Sequence, residues 1–98
     1  MENRDDVLQH LREQQQALRR LGVRRLGLFG SIARGEGCQD SDLDFVVELE
    51  RNSFDAYMDV KFFLEDLFQR PVDLVLADTI KPRLRDVILK ETVYAQGL

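Results

Sequence analysis

From residue 42 to residue 50 the chain reads Asp-Leu-Asp-Phe-Val-Val-Glu-Leu-Glu. Side chains of an extended strand alternate between two faces. Leu43, Phe45 and Val47 therefore share one face, and Asp42, Asp44 and Val46 share the other. The apolar face has to be covered by another layer. A chain of 98 residues has the length of one small domain with a thin core, so we read residues 1–98 as a single domain.

The flanking pattern supplies such layers. Residues 4–21 read as a helix whose apolar stripe is Leu8, Leu11, Leu18 and Leu21, stopped by Gly22. Residues 24–29 read as a strand, broken by Gly30-Ser31. Residues 32–36 are expected to form one helical turn, followed by a loop through Ser41. Ser53 is placed to cap a helix from Phe54 to about Arg70, ended by Pro71. Residues 72–77 read as a third strand, with Val72, Leu74 and Leu76 on one face and Asp73, Val75 and Ala77 on the other. Pro82 suits the first turn of a last helix, 82–91, and an extended tail follows through Tyr94. Short strands between helices predict a small α/β (α+β) sandwich. The connection between the first two strands is too short for a comfortable crossover helix, which leaves a mixed or a parallel sheet open.

Composition narrows the partners. Hydrophobic residues are 44% and charged residues 33%, which excludes a disordered chain or a membrane bundle. No apolar run approaches a membrane span, and the first residues lack the pattern of a signal peptide. Cys38 is the only cysteine, so an internal disulfide is impossible and the cytoplasm is the expected location. Fourteen basic against eighteen acidic residues give a net charge of -4. Residues 26–50 carry one basic and six acidic groups. That is a poor footprint for stable nucleic-acid binding and a good one for cations.

Three features converge on one chemistry. Gly30-Ser31 follows an apolar strand, where a glycine allows a tight turn and close approach of a ligand. The amides of Ser31 and Ile32, with the Ser31 hydroxyl, suit a phosphate. A plain turn is the alternative. Asp42 and Asp44 lie two apart on a strand, hence on one face, and paired carboxylates are hard donors for Mg²⁺ or Mn²⁺. A solvated strand end is the alternative for Asp42, less so for Asp44. Asp73 is a single acid in an apolar strand, on the face opposite the core; a plain exposed residue on that face is the alternative. If the third strand neighbours the second, all three acids can meet. Phosphate cradle, metal bridge and base are the parts that nucleotidyl transfer needs.

Gly30-Ser31-Ile32-Ala33-Arg34-Gly35-Glu36, followed by Ser41-Asp42-Leu43-Asp44-Phe45-Val46-Val47, resembles the minimal nucleotidyltransferase (MNT) family of the polymerase-beta-like superfamily. The resemblance implies a small mixed sheet flanked by helices, with Mg²⁺ as cofactor and ATP as donor. It implies Asp42 and Asp44 as metal ligands, Asp73 as the third acid and activator of the nucleophile, and Gly30 and Ser31 as triphosphate contacts. Arg34 is a further phosphate candidate, with an exposed structural arginine as the even alternative. The resemblance also implies a partner, a HEPN-domain RNase toxin, neutralised in a hetero-oligomer by AMP transfer to a tyrosine.

The remaining candidates are weaker. Helix 54–70 is apolar over much of its circumference, which suits a partner or second copy, or cover by the first and last helices. His10 reads as a surface or edge histidine, and Cys38 lacks a base nearby. Lys81, Arg83 and Arg85 form a basic cluster suited to phosphates, an acidic partner or plain solvation. Two other functions stay open: an antitoxin that only binds, and transfer to a small molecule or RNA with a partner-supplied acceptor site.

Overall fold

The computed structural model describes residues 4–33, 35, 42–51 and 53–95. Helices α1 (Arg4–Glu13) and α2 (Gln15–Arg20) precede strand β1 (Val23–Phe29), the short helix α3 (Gly30–Ala33) and strand β2 (Leu43–Leu49). Helix α4 (Phe54–Phe68) leads to β3 (Val72–Leu76), a 3-10 turn (Ala77–Thr79), α5 (Pro82–Glu91) and β4 (Val93–Tyr94).

The strands form one sheet in the order β3-β2-β1-β4. β1 pairs antiparallel with β2 and with β4, while β2 and β3 are parallel. The sheet is mixed for a simple reason. The described part of the β1–β2 connection is the short α3, whereas the long α4 carries the chain back between β2 and β3.

Alternation along the strands sorts the two faces as the sequence predicts. Leu26, Leu28, Leu43, Phe45, Val47, Val72 and Leu74 pack with Val7, Leu11 and Leu18 of α1 and α2 and with Val60, Leu64 and Phe68 of α4. The opposite face is smaller. Val46, Ala77 and Ile80 are buried there, with Phe29, Val75 and Ile88 packed against them. α5 therefore lies across the sheet from α4 and does not cover it, contrary to one of the two expectations for helix 54–70. The Phe68 end of α4 meets α1, where the His10 ring stands edge-on at 5.8 Å. Phe54 and Phe62 stay 75% and 58% exposed.

Three helix boundaries differ from expectation. The first helix breaks at Gln14, whose N–H is shared between the carbonyls of His10 and Leu11 at 3.1 and 3.2 Å. Residues 12–16 are all polar, so nothing anchors that turn to the sheet. The turn after β1 is helical over Gly30–Ala33, earlier than the expected 32–36. α4 starts where expected, with Ser53 Oγ accepting from the Ala56 N–H at 3.1 Å. It stops at Phe68, before Pro71 is reached, because Gln69 takes a left-handed conformation (φ 54°) and donates to the Glu65 carbonyl at 2.8 Å.

β3 is an edge strand, and side chains occupy its outer polar groups. The Tyr57 hydroxyl donates to the Leu74 carbonyl at 2.6 Å. Thr79 Oγ1 donates to Leu76 O at 2.9 Å, and the Val72 N–H donates to Glu65 Oε2 at 3.3 Å. Covering an edge in this way discourages strand addition from another chain. Among the described residues no helix is long and apolar enough to cross a membrane.

Phe45 is fully buried on the central strand and stacks on Phe68 with ring centroids 5.9 Å apart. Phe45→Ala is expected to cost about 3–5 kcal/mol, read as a lower urea midpoint with the slope unchanged.

Candidate active site

The site is built where β1 ends and where β2 and β3 begin. Asp44 stands in register with Phe29 of β1 on one side and with Asp73 of β3 on the other. Neighbouring strands lie about 4.8 Å apart, and residues in register on parallel strands present side chains to the same face. The two acids are thus adjacent, on the face opposite the main core. Asp44 is half-buried and Asp73 is exposed. Asp42 lies just ahead of β2, exposed, on the side of Asp44 by alternation.

Gly30 closes the site from the β1 end. Its φ is +80°, a conformation that L side chains rarely adopt. Sterics demand glycine independently. A Cβ built there would overlap Asp44 Oδ2 and lie 3.0 Å from Cγ and 3.2 Å from Cβ of the same side chain. The glycine turn is therefore pressed against the carboxylate. From sequence alone Gly30 suggested room for a ligand; its neighbour in the fold is Asp44 itself.

Two carboxylates in register repel each other unless a cation lies between them. Their oxygens are hard donors of the kind that Mg²⁺ and Mn²⁺ take. The donor chemistry therefore fits a divalent cation, with Asp44 and Asp73 as the adjacent pair and Asp42 next along. Among the described residues no three acidic, histidine or cysteine side chains stand together as a metal-holding group. The expected triad is thus seen as a pair with a neighbour. Arg34 and the side chain of Ser31 lie outside the described residues, as does Cys38.

Other polar features are elsewhere. His10 is a surface histidine 3.9 Å from Glu13, and Lys81, Arg83 and Arg85 are exposed at the start of α5. A cavity of about 380 Å³, lined by residues that include Phe54, Tyr57 and Leu74, lies between the start of α4 and β3. Neither Gly30 nor the acids line it. Gly27, inside β1, is a second position that only glycine fits. A Cβ there would overlap Thr92 Cγ2 and lie 3.1 Å from the Tyr94 ring, so it lets the C-terminal strand close over β1. A lone glycine inside a strand was the signal for such close approach. Beside it Arg25 lies 4.2 Å over the Tyr94 ring and 3.4 Å from Glu48.

Comparison with known proteins decides what such a site belongs to. The nucleotidyltransferase domain family matches residues 11–95. The protein adenylyltransferase MntA of Thermococcus cleftensis is 40% identical over 76 residues, covering 76% of this chain and 77% of the relative. The chain belongs to the minimal nucleotidyltransferase family. A solved structure assigned as a minimal nucleotidyltransferase superposes with a TM-score of 0.73 at 37% identity, over 88% of this chain and 93% of the other. A chain from the complex of a tri-AMPylated Shewanella oneidensis HEPN toxin with an MNT antitoxin superposes at 0.65. That match covers 93% of this chain and 73% of the other at 19% identity, a likeness of fold. The mixed sheet and flanking helices are those of the polymerase-beta-like core that the family shares.

Two outcomes test this minimal nucleotidyltransferase site. Millimolar Mg²⁺ should raise the thermal midpoint of the wild-type chain, and Asp44→Asn should remove that response. Gly30→Ala should lose about 1–3 kcal/mol in denaturant titrations, from its positive φ and the contact with Asp44.

Proposed function

We propose that this chain is a Mg²⁺-dependent protein adenylyltransferase: it moves AMP from ATP to a tyrosine hydroxyl of a cognate HEPN RNase and so acts as that toxin's antitoxin. The observation that carries the reading is the Asp44–Asp73 register against the Gly30 turn, in a chain of the MntA family. The adenylyltransferase of Thermococcus cleftensis supports the reaction. The complex of an AMPylated HEPN toxin with an MNT antitoxin supports the partner.

Each residue has a role in that reaction. Gly30 and Ser31 hold the triphosphate through backbone amides and a hydroxyl, and Arg34 adds charge-assisted bonds to phosphate oxygens. Asp42, Asp44 and Asp73 are the ligands that would hold Mg²⁺. When bound, the metal neutralises developing phosphate charge and orients the reactants. Asp73, exposed at the sheet edge, accepts the proton of the attacking tyrosine hydroxyl. The phenolic oxygen bonds to the α-phosphorus as the bond to the bridging oxygen breaks, and pyrophosphate leaves with that electron pair. The product is an AMP-tyrosine phosphodiester. Residues 1–98 act as one catalytic domain, working in the cytoplasm.

The test uses α-labelled ATP, Mg²⁺ and the HEPN protein. Wild type should place label on that protein and not release it to nuclease treatment of RNA. Asp44→Asn should lower transfer by about 10²–10³-fold or more while its circular dichroism stays that of wild type. Transfer at the wild-type rate by Asp44→Asn would overturn the assignment.

A further inference from the structure

α5 is anomalous among the helices of this fold. Residues 82–91 form nearly three turns, yet none of them is buried. Ile88 alone is seen packing into the small core on its side of the sheet, against the cluster that includes Phe29, Val46 and Val75. Leu84 and Val87 share the face of Ile88 by helical spacing, yet stay 48% and 60% exposed. Apolar residues three and four apart lie on one helix face, so Leu84, Val87 and Ile88 form one stripe that the small core covers only in part.

Its location is the second observation. Val46 lies two residues beyond Asp44 on the same face of β2, and Val75 lies two beyond Asp73 on the same face of β3. Two residues along a strand is about 6.6 Å. The packing of α5 therefore begins one side-chain row from the acid pair, and the uncovered part of its stripe, Leu84 and Val87, continues from that packed row.

Charge is the third. Residues 81–91 carry Lys81, Arg83, Arg85 and Lys90 against Asp86 and Glu91, in a chain whose net charge is -4. A basic helix with an apolar stripe, on an otherwise acidic protein, complements an acidic surface with apolar side chains at its centre. Leu84 and Val87 offer nothing to a triphosphate.

We infer that α5 is the docking face for the protein acceptor, and that the acceptor presents an acidic, apolar-centred surface there while its tyrosine reaches Asp44 and Asp73. The inference rests on the adenylyltransferase reading, in which the acceptor is a protein. Docking on α5 sets the affinity for the acceptor, and the acids set the rate of transfer.

Leu84→Asp/Val87→Glu tests it. Both positions are exposed, an acid in the first helical turn is favoured by the helix dipole, and glutamate is a better helix former than valine. The acceptor is the protein that the wild-type chain labels from α-labelled ATP. The double variant should raise KM for that protein about tenfold or more, with kcat within twofold and the Kd for ATP unchanged. Arg83→Glu/Arg85→Glu should raise the same KM and weaken its dependence on salt. Phe62→Glu, on α4 across the sheet, should change none of these.

An unchanged acceptor KM in the α5 variants overturns the inference, and a rise with Phe62→Glu moves the docking face to α4. A weaker Kd for ATP in the arginine variant, with acceptor KM unchanged, makes those residues nucleotide contacts and equally overturns it. Failure of the wild type to label any protein overturns the adenylyltransferase reading itself, and that result is separate from any comparison among α5 variants.

Discussion

The parallel pairing of β2 with β3 is the constraint on which the rest depends. β2 is a central strand: antiparallel β1 is on one side and parallel β3 on the other. Its odd positions, Leu43, Phe45 and Val47, are fully or almost fully buried. A slip of one residue would turn those three to the other face and bring the acids into the core. Burial of Phe45 therefore fixes more than stability. It fixes which side of the sheet Asp44 faces and which residue of β3 stands beside it. That arrangement sets two carboxylates in register, a donor pair that a divalent cation would fit.

Much of this was legible in the sequence because period-2 alternation carries direct information about faces. The segments around Phe45 and Leu74 each separate apolar from acidic positions without ambiguity, and the pair Gly30-Ser31 marks the end of β1. Strand neighbours were less accessible. Nothing local in residues 72–76 says that they lie beside β2; that follows from α4, long enough to return the chain for a parallel strand. Helix limits were least accessible. The break at Gln14 depends on what the sheet offers residues 12–16, and the stop at Phe68 on a left-handed Gln69. Both are tertiary or backbone effects that pattern does not record.

Gly30 shows how one residue can be read correctly for an incomplete reason. The sequence marks a turn where a ligand could approach. The structure adds that the space a side chain would fill already belongs to the Asp44 carboxylate. Glycine and aspartate are thus one steric unit: the turn that offers backbone amides at the end of β1 also confines the acid. In a fold this small, with two thin layers of cover, such sharing lets a few residues define both the strand end and the chemistry. The two helical layers differ accordingly. α4 buries Val60, Leu64 and Phe68 against the main core, while α5 has no buried residue and packs through Ile88 on the smaller core.

The most direct test of the Asp44–Asp73 pairing as a cation site is a crystal structure grown with Mn²⁺ and a non-hydrolysable ATP analogue, with anomalous differences recorded at a wavelength where manganese scatters strongly. The account predicts an anomalous peak bonded to oxygens of both Asp44 and Asp73, with phosphate oxygens completing the shell beside Gly30. A peak bound elsewhere in the chain, or nucleotide held with no manganese at these two carboxylates, would contradict it.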